Sequence, residues 1–175
     1  MTKIIAFSGS NHSKSINQLL VKHAASMIEN HEVEVLDLRD YESPMFSLDL
    51  EAAEGHPEIL KQLDATISAS TTLLIAVPEY NGFMPSFFKN TIDWLSRINI
   101  KFLKDKKVIL LSTSPGKYGA KQSLEHLASI LPRFGGQVIG QYSLGSFYDS
   151  VNLENGFTFN DQAVEQEIKD LVNNL

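Results

Sequence analysis

The sequence predicts an α/β domain built on a doubly wound, five-stranded parallel sheet with helices on both faces. Three observations lead there. Short β-favouring runs alternate with helical patterns along the chain, and several of those runs are apolar at every position, as strands covered on both faces must be. The third observation is that three of the loops following such runs are rich in Ser, Gly, Pro and Asn.

Each element has its own pattern. Ile4-Ile5-Ala6-Phe7 gives the first strand, and after a polar loop Ile16, Leu19, Leu20, Ala24, Met27 and Ile28 recur at helical spacing. Val33 to Leu36 gives the second strand, and the stretch around Tyr41 to Leu50 reads as an ordinary connection. Pro57 then starts a helix whose buried stripe is Ile59, Leu60, Leu63 and Ile67. Leu73 to Val77 is the third strand, followed by a loop and a helix on Phe87, Phe88, Thr91, Ile92 and Leu95, for which Ser86 is the candidate cap. Val108 to Leu111 is the fourth strand, before a helix on Leu124, Leu127, Ala128 and Leu131. Val138-Ile139 marks the fifth strand, and Val164, Ile168, Leu171, Val172 and Leu175 mark a last helix.

Parallel neighbours need right-handed crossovers, which place helices on both faces. Of the two common strand orders, the flavodoxin-like order 2-1-3-4-5 makes strands one, three and four adjacent, and these carry the three unusual loops. The strand followed by the plain connection then falls at an edge. A switch point between strands one and three is where that fold places flavin mononucleotide (FMN).

Bulk properties narrow the class of partner. A chain of 175 residues fits one domain, 1–175, with a full core. A net charge of −6 offers no general attraction to nucleic acid or to anionic membranes, so a bound anion must be held by local geometry. The absence of cysteine excludes disulfides, a thiolate nucleophile and cysteine-ligated clusters. The chain passes after one lysine into a short strand without the apolar core of a secretory signal, and no run is long enough to span a bilayer; the expectation is a cytoplasmic protein.

Loop one, Ser8 to Ser15, has a phosphate-binding composition. Gly9 with the small Ser8 and Ser10 lets amides approach an anion, Ser10 and Ser15 add hydroxyls, and the following helix presents free N–H groups. Its spacing is neither a P-loop nor G-x-G-x-x-G, which argues against a nucleoside triphosphate. The plainer alternative is a capping box of Ser15 with Gln18 beside a solvated turn. In loop two, Tyr80-Asn81-Gly82 supplies tight-turn backbone whose N–H and C=O groups suit the alternating donors and acceptors of a pyrimidine-like ring edge, stiffened by Pro78 and Pro85. The alternative is a turn ahead of a capped helix.

Pro78-Glu79-Tyr80-Asn81-Gly82, then Pro85, Lys89-Asn90 and Ile92-Asp93-Trp94, resembles the signature stretch of the NADPH-dependent FMN reductase family, which includes azobenzene, chromate and quinone reductases. Gly9-Ser10 and Ser15 with Asn17 in loop one extend the likeness, as do Ser114, Gly116 and Gly119 in loop three. The resemblance implies non-covalent FMN, with NADPH or NADH as hydride donor. Residues matching Ser10, Ser15, Ile16 and Asn17 would hold the phosphate, Pro78 to Gly82 would border the ribityl chain and ring, and Thr113, Ser114 and Gly119 would close another side. It also implies homodimers or homotetramers, with the helix containing Trp94 near the subunit contact. Taken alone, Trp94 also suits a helix-packing position.

This chain departs from the family at His12, where an arginine is usual. Histidine is shorter and carries no permanent charge, so it cannot reproduce a bidentate contact with phosphate. Lys14 and Lys117 are candidate substitutes, or else exposed loop lysines. The expected reaction passes hydride from NAD(P)H through the flavin to a small acceptor such as a quinone, an azo compound or free flavin, by a ping-pong route. No side chain is assigned as catalytic, and Tyr80, Tyr118, Phe147 and Tyr148 are candidates to shape the open face. A non-enzymatic FMN electron carrier or an interaction module of the same fold is the alternative. None of the histidines has metal-ligand spacing, no G-x-S-x-G is present, and Asp93 with Arg97 reads as a surface i,i+4 pair.

Overall fold

A computed structural model describes residues 3–175. Five strands, β1 (Lys3–Ser8), β2 (Glu32–Val35), β3 (Thr72–Ala76), β4 (Lys106–Thr113) and β5 (Gly136–Leu144), form a parallel sheet in the order β2-β1-β3-β4-β5. The crossovers carry α1 (Ile16–Ser26), α2 (Leu48–Glu54), α3 (Glu58–Ser68), α4 (Ser86–Ile98) and α5 (Lys121–Ile130). Beyond β5 come one helical turn, α6 (Phe147–Ser150), a short antiparallel hairpin of β6 (Val151–Asn152) and β7 (Thr158–Phe159), and α7 (Gln162–Asn173).

Strand alternation explains why the runs are apolar throughout. Ile5 and Phe7 of β1, Leu73 and Ile75 of β3, and Val108 and Leu110 of β4 enter one core with α3, α4 and α5. Their neighbours Ala6, Leu74, Ala76, Ile109 and Leu111 enter a second core with α1, α7 and Phe147. The second core is the one with small residues, Ala6, Ala24, Ala25 and Ala76, so α1 packs close to the sheet. Its N-terminus is thereby held beside the carboxyl ends of β1 and β4.

Several local expectations are corrected. The connection over Tyr41 to Leu50 contains the end of a turn of 3-10 helix, Leu38–Tyr41, and the first residues of α2, which is capped by Ser47. Pro85, not Ser86, precedes the first residue of α4, and no side chain caps that end. Only half of the capping box forms. Ser15 Oγ accepts the Gln18 N–H at 3.2 Å, while the Gln18 side chain accepts from Ser8 N–H at 3.1 Å and donates to Leu36 O at 3.1 Å. Asp93 pairs with Lys89 at 2.6 Å and Arg97 with Glu51 at 2.8 Å, so the two do not pair with each other. Trp94 is fully buried, and its indole N–H donates to Pro44 O at 2.8 Å. With Asn90, which accepts from Phe46 N–H at 2.8 Å, it binds the Ser43–Phe46 stretch to α4.

The β6–β7 hairpin is anchored by aromatic packing on α1. The His23 ring stacks on Phe157 with centroids 4.3 Å apart and meets Phe159 edge-on at 5.3 Å. Its Nε2 is buried with no hydrogen-bond partner among the described residues. Burial pushes the imidazole below its usual value of 6.5, with Glu165 of α7 opposing. The unfolded chain therefore takes up a proton that the folded chain resists, so stability is full above about pH 6.5 and declines as the pH falls below it. In urea denaturation between about pH 7.5 and 5, His23→Phe is expected to flatten this decline while keeping the ring contact. An identical decline in the variant would place the acid sensitivity elsewhere.

Candidate functional site

Parallel pairing continues one residue past the strands where the loops leave them. Gly9 N–H donates to Ala76 O at 2.9 Å and Val77 N–H to Leu111 O at 2.8 Å, so loops one, two and three depart from one sheet edge in fixed register. They line a common cleft of about 170 Å³. Its walls are Ser10, His12, Lys14, Ser15, Ile16 and Asn17 from loop one and α1, Pro78, Glu79 and Tyr80 from loop two, Thr113 and Pro115 from loop three, and Tyr148 from α6.

The loop-one wall is a set of donors. Ser10 and Ser15 are almost buried, and each hydroxyl accepts from a nearby backbone N–H, His12 at 3.2 Å and Gln18 at 3.2 Å, leaving its own O–H to donate. The N–H groups of Ile16 and Asn17, in the first turn of α1, have no acceptor among the described residues. They lie at the positive end of the helix dipole. The Asn17 side chain is committed elsewhere: Oδ1 accepts from Thr113 N–H at 3.0 Å and Nδ2 donates to Thr113 O at 2.9 Å. What Asn17 offers the cleft is its main-chain N–H.

Loop two is tied to α5. The N-cap of α5 is Ala120, in left-handed conformation and without a capping side chain. Glu79 supplies the acceptor from outside, taking the Ser123 N–H at 3.1 Å, while Ser123 Oγ donates to Pro78 O at 2.9 Å. Beyond the cleft wall, Asn81 and Gly82 both have positive φ, 55° and 81°, between reciprocal bonds of Tyr80 and Phe83. This is the two-residue turn that favours Asn-Gly.

Loop three is pinned to β5 and α6. Ser112 Oγ and Ser143 Oγ donate to Gly119 O at 2.7 and 3.0 Å, and Thr113 Oγ1 to Leu144 O at 2.8 Å. Phe147 N–H reaches Ser114 O and Ser146 N–H reaches Gly116 O. Gly119 has φ +60°, and a Cβ there would sit 2.5 Å from Ser143 Oγ and 2.7 Å from the Leu144 carbonyl carbon. Ser114, Gly116 and Gly119 thus frame the loop and do not line the cleft. Of the aromatic candidates, Tyr80 and Tyr148 border the cleft, Tyr118 faces a neighbouring groove, and Phe147 is fully buried.

Pro115 lines the cleft although the sequence does not single it out, whereas Lys14, the candidate substitute charge, and Tyr148, a candidate to shape the open face, line it as well. Lys14 and Pro115 sit inside loops already singled out. Tyr148 arrives from beyond β5 with no motif around it, and only the bonds that fold α6 back on loop three place it.

The donor set fits a phosphate beside a flat heterocycle. Two hydroxyls, two free helical amides and the Lys14 ammonium converge at one end, Pro78, Tyr80, Pro115 and Tyr148 offer apolar faces, and the one carboxylate, Glu79, accepts from α5.

The family model for NADPH-dependent FMN reductase matches residues 2–149. The uncharacterized protein MG342 homolog of Mycoplasma pneumoniae is 32% identical over 158 residues, covering 87% of this chain and 93% of that protein. A quinone reductase of Escherichia coli K12 is 30% identical over 134 residues, covering 74% and 69%. Among solved structures, FerB, a flavoenzyme NAD(P)H:(acceptor) oxidoreductase from Paracoccus denitrificans, superposes with a TM-score of 0.77 at 24% identity, covering 98% of this chain and 93% of that one, and shares the fold.

Asn17→Ala leaves the buried N–H and C=O of Thr113 without partners and is expected to cost about 1–3 kcal/mol. The urea midpoint measures it; a change within about 0.5 kcal/mol, the range usual for surface substitutions, would mean that the carboxamide does not hold β4 to α1.

Proposed function

This chain belongs to the NADPH-dependent FMN reductase family, and we propose that its cleft holds FMN, with the phosphate at the start of α1. It is an FMN-dependent NAD(P)H oxidoreductase of the kind to which quinone reductases belong. The observation that carries the assignment of the site is the convergence of Ser10, Ser15 and the free Ile16 and Asn17 amides at one end of a cleft whose other walls come from loops two and three.

The residues divide by task. Ser10 and Ser15 would hold the phosphate by hydrogen bonds from their hydroxyls, the α1 amides by hydrogen bonds from their N–H groups, and His12 and Lys14 border the same end. Pro78, Glu79 and Tyr80 with Thr113 line the cleft and would border the ribityl chain and ring, while Asn81 and Gly82, at the tip of loop two beyond the cleft wall, would offer backbone groups to the ring edge. Ser114, Gly116 and Gly119 fix loop three from behind.

FMN supplies the redox chemistry when bound, accepting hydride from a nicotinamide and passing electrons to an acceptor. The protein's part is to bind and orient. The cleft is smaller than the roughly 300–1,000 Å³ that encloses a small ligand, so one side of its occupant stays uncovered. Donor and acceptor use that side in turn, which gives ping-pong kinetics. Small quinones, azo compounds and free flavin are acceptors of suitable shape. The assembly is a homodimer or homotetramer, and among the described residues no helix is long and apolar enough to cross a membrane.

Titrated with FMN, the protein is expected to bind the flavin, and NADPH or NADH to bleach it faster than free FMN in the absence of any partner reductase. Initial rates with donor and quinone varied together should give parallel double-reciprocal lines. Failure to bind FMN would overturn the site, bleaching no faster than free FMN would leave an electron carrier, and intersecting lines would overturn the ping-pong order. Ser15→Ala should weaken FMN about tenfold, the loss of one hydrogen bond to a charged group.

A further inference from the structure

Loop three has two sides, and the cleft uses one. Thr113 and Pro115 face the cleft, whereas Lys117 and Tyr118 face a second hollow, bounded by the first turns of α5 and by Gln141, Tyr142 and Ser143 of β5. That groove measures about 370 Å³, against about 170 Å³ for the cleft. Other hollows lie elsewhere: a void of about 20 Å³ sealed in the apolar core, a pocket at the opposite edge of the sheet around His31 and Asp105, and one behind Trp94 beside Pro57. The groove is the one among these that shares a wall with the cleft.

Its lining carries two lysines, two tyrosines and one carboxylate, Glu125. Lys117 has no carboxylate partner among the described residues, and its Nζ rests 4.9 Å from the centre of the Tyr118 ring. Lys121 meets Glu125 at 3.7 Å on an exposed helix face, too far for a hydrogen bond and weakened by solvent. Both ammonium groups are therefore available in a chain whose net charge is −6. Tyr118 is 74% exposed, so most of its ring is in water. The backbone beneath it is nevertheless fixed, because Ser143 Oγ donates to Tyr118 O at 3.2 Å and to Gly119 O at 3.0 Å. Two lysines, one resting on an exposed tyrosine ring and one in a loose pair with the groove's own carboxylate, Glu125, suit an anion that also carries a flat base able to use the ring's other face.

We propose that this groove binds the adenosine-phosphate half of the nicotinamide dinucleotide. Lys117 and Lys121 meet its phosphates and Tyr118 stacks on its adenine, while the dinucleotide crosses loop three at Pro115 to bring its nicotinamide to the cleft. The inference rests on reading the cleft as the flavin site, and it adds where the donor's other half lies. The uncovered side of a small cleft cannot by itself hold a dinucleotide, and the adjoining groove supplies the missing contacts.

ADP-ribose, which has the adenine and pyrophosphate but no nicotinamide, tests the groove directly by calorimetric titration of the protein as purified. Lys117→Ala/Lys121→Ala is expected to lose about tenfold or more in affinity, the arginine pair at the same positions to retain it, and Tyr118→Ala to lose several-fold. In steady state the double alanine variant should raise the KM for NADPH or NADH about tenfold, without a matching rise in the KM for reduced nicotinamide mononucleotide. Undetectable ADP-ribose binding to the wild type, equal binding to the double alanine variant, or an equal rise in the mononucleotide KM would each overturn the proposal. Failure of FMN to bind would overturn the flavin reading instead, and the ADP-ribose titration would still decide the groove.

Discussion

The clasp between the Asn17 carboxamide and the Thr113 peptide is the interaction on which the site depends. Its two hydrogen bonds, 3.0 and 2.9 Å and both buried, join the first turn of α1 to the last residue of β4. A primary amide is the one small side chain that offers a donor and an acceptor side by side, so it can extend a strand's pairing pattern where no further strand exists. Because α1 begins next to the carboxyl end of β1, the clasp fixes three things together: the α1 amides, the end of β1 and the root of loop three. Gln18 does the same on the other flank, bridging Ser8 N–H and Leu36 O.

Loops so rich in small and turn-forming residues would be mobile if left to themselves, since ordering a backbone residue costs about 1–2 kcal/mol. In this chain several residues of loops two and three, or of the elements beside them, act as anchors. Glu79 caps α5, Ser123 holds Pro78, and three hydroxyls, those of Ser112, Thr113 and Ser143, hold carbonyls of loop three and β5. Their entropy is lost during folding, so the amides that face the cleft are already aimed when a ligand arrives. This is how preorganisation improves affinity without adding contacts.

The strands and their order were legible because burial on both faces leaves a mark on every residue of a run, as in Leu73 to Val77. The fifth was legible only at Val138-Ile139. β5 lies at the sheet edge, where Gln137, Gln141 and Tyr142 meet solvent or the groove, and the strand runs from Gly136 to Leu144. α2 was missed because it is seven residues long with no buried residue, so it has no apolar stripe to detect. The loops of the site were legible from composition, but the tasks of their residues were not. Ser15 and Gln18 fit a capping box, and the Gln18 side chain went instead to two strands, a choice that depends on tertiary neighbours 10 and 18 residues away in sequence. Gly119 lies against Ser143 and Leu144, and the Ser114 hydroxyl donates to Gly116 O, contacts that composition does not show and that need the position of β5.

His12 shows what the preorganised amides accomplish. With histidine at position 12, the permanent positive charge on the cleft wall is that of Lys14, and on the proposed reading the rest of the attraction for an anion would come from the α1 N-terminus. An exposed ammonium acts over about a Debye length and attracts any anion, whereas amide N–H groups act within hydrogen-bond distance and only along their own axes. In a chain of net charge −6 the long-range field repels anions, so binding must come from the short-range set. On the proposed reading such a site would discriminate by shape, favouring a compact phosphate that meets Ser10, Ser15 and both amides at once over a polyanion that presents charge without that fit. On that reading, histidine at position 12 leaves recognition to geometry more than to charge, which is why the bonds that hold α1 in place would bear directly on function.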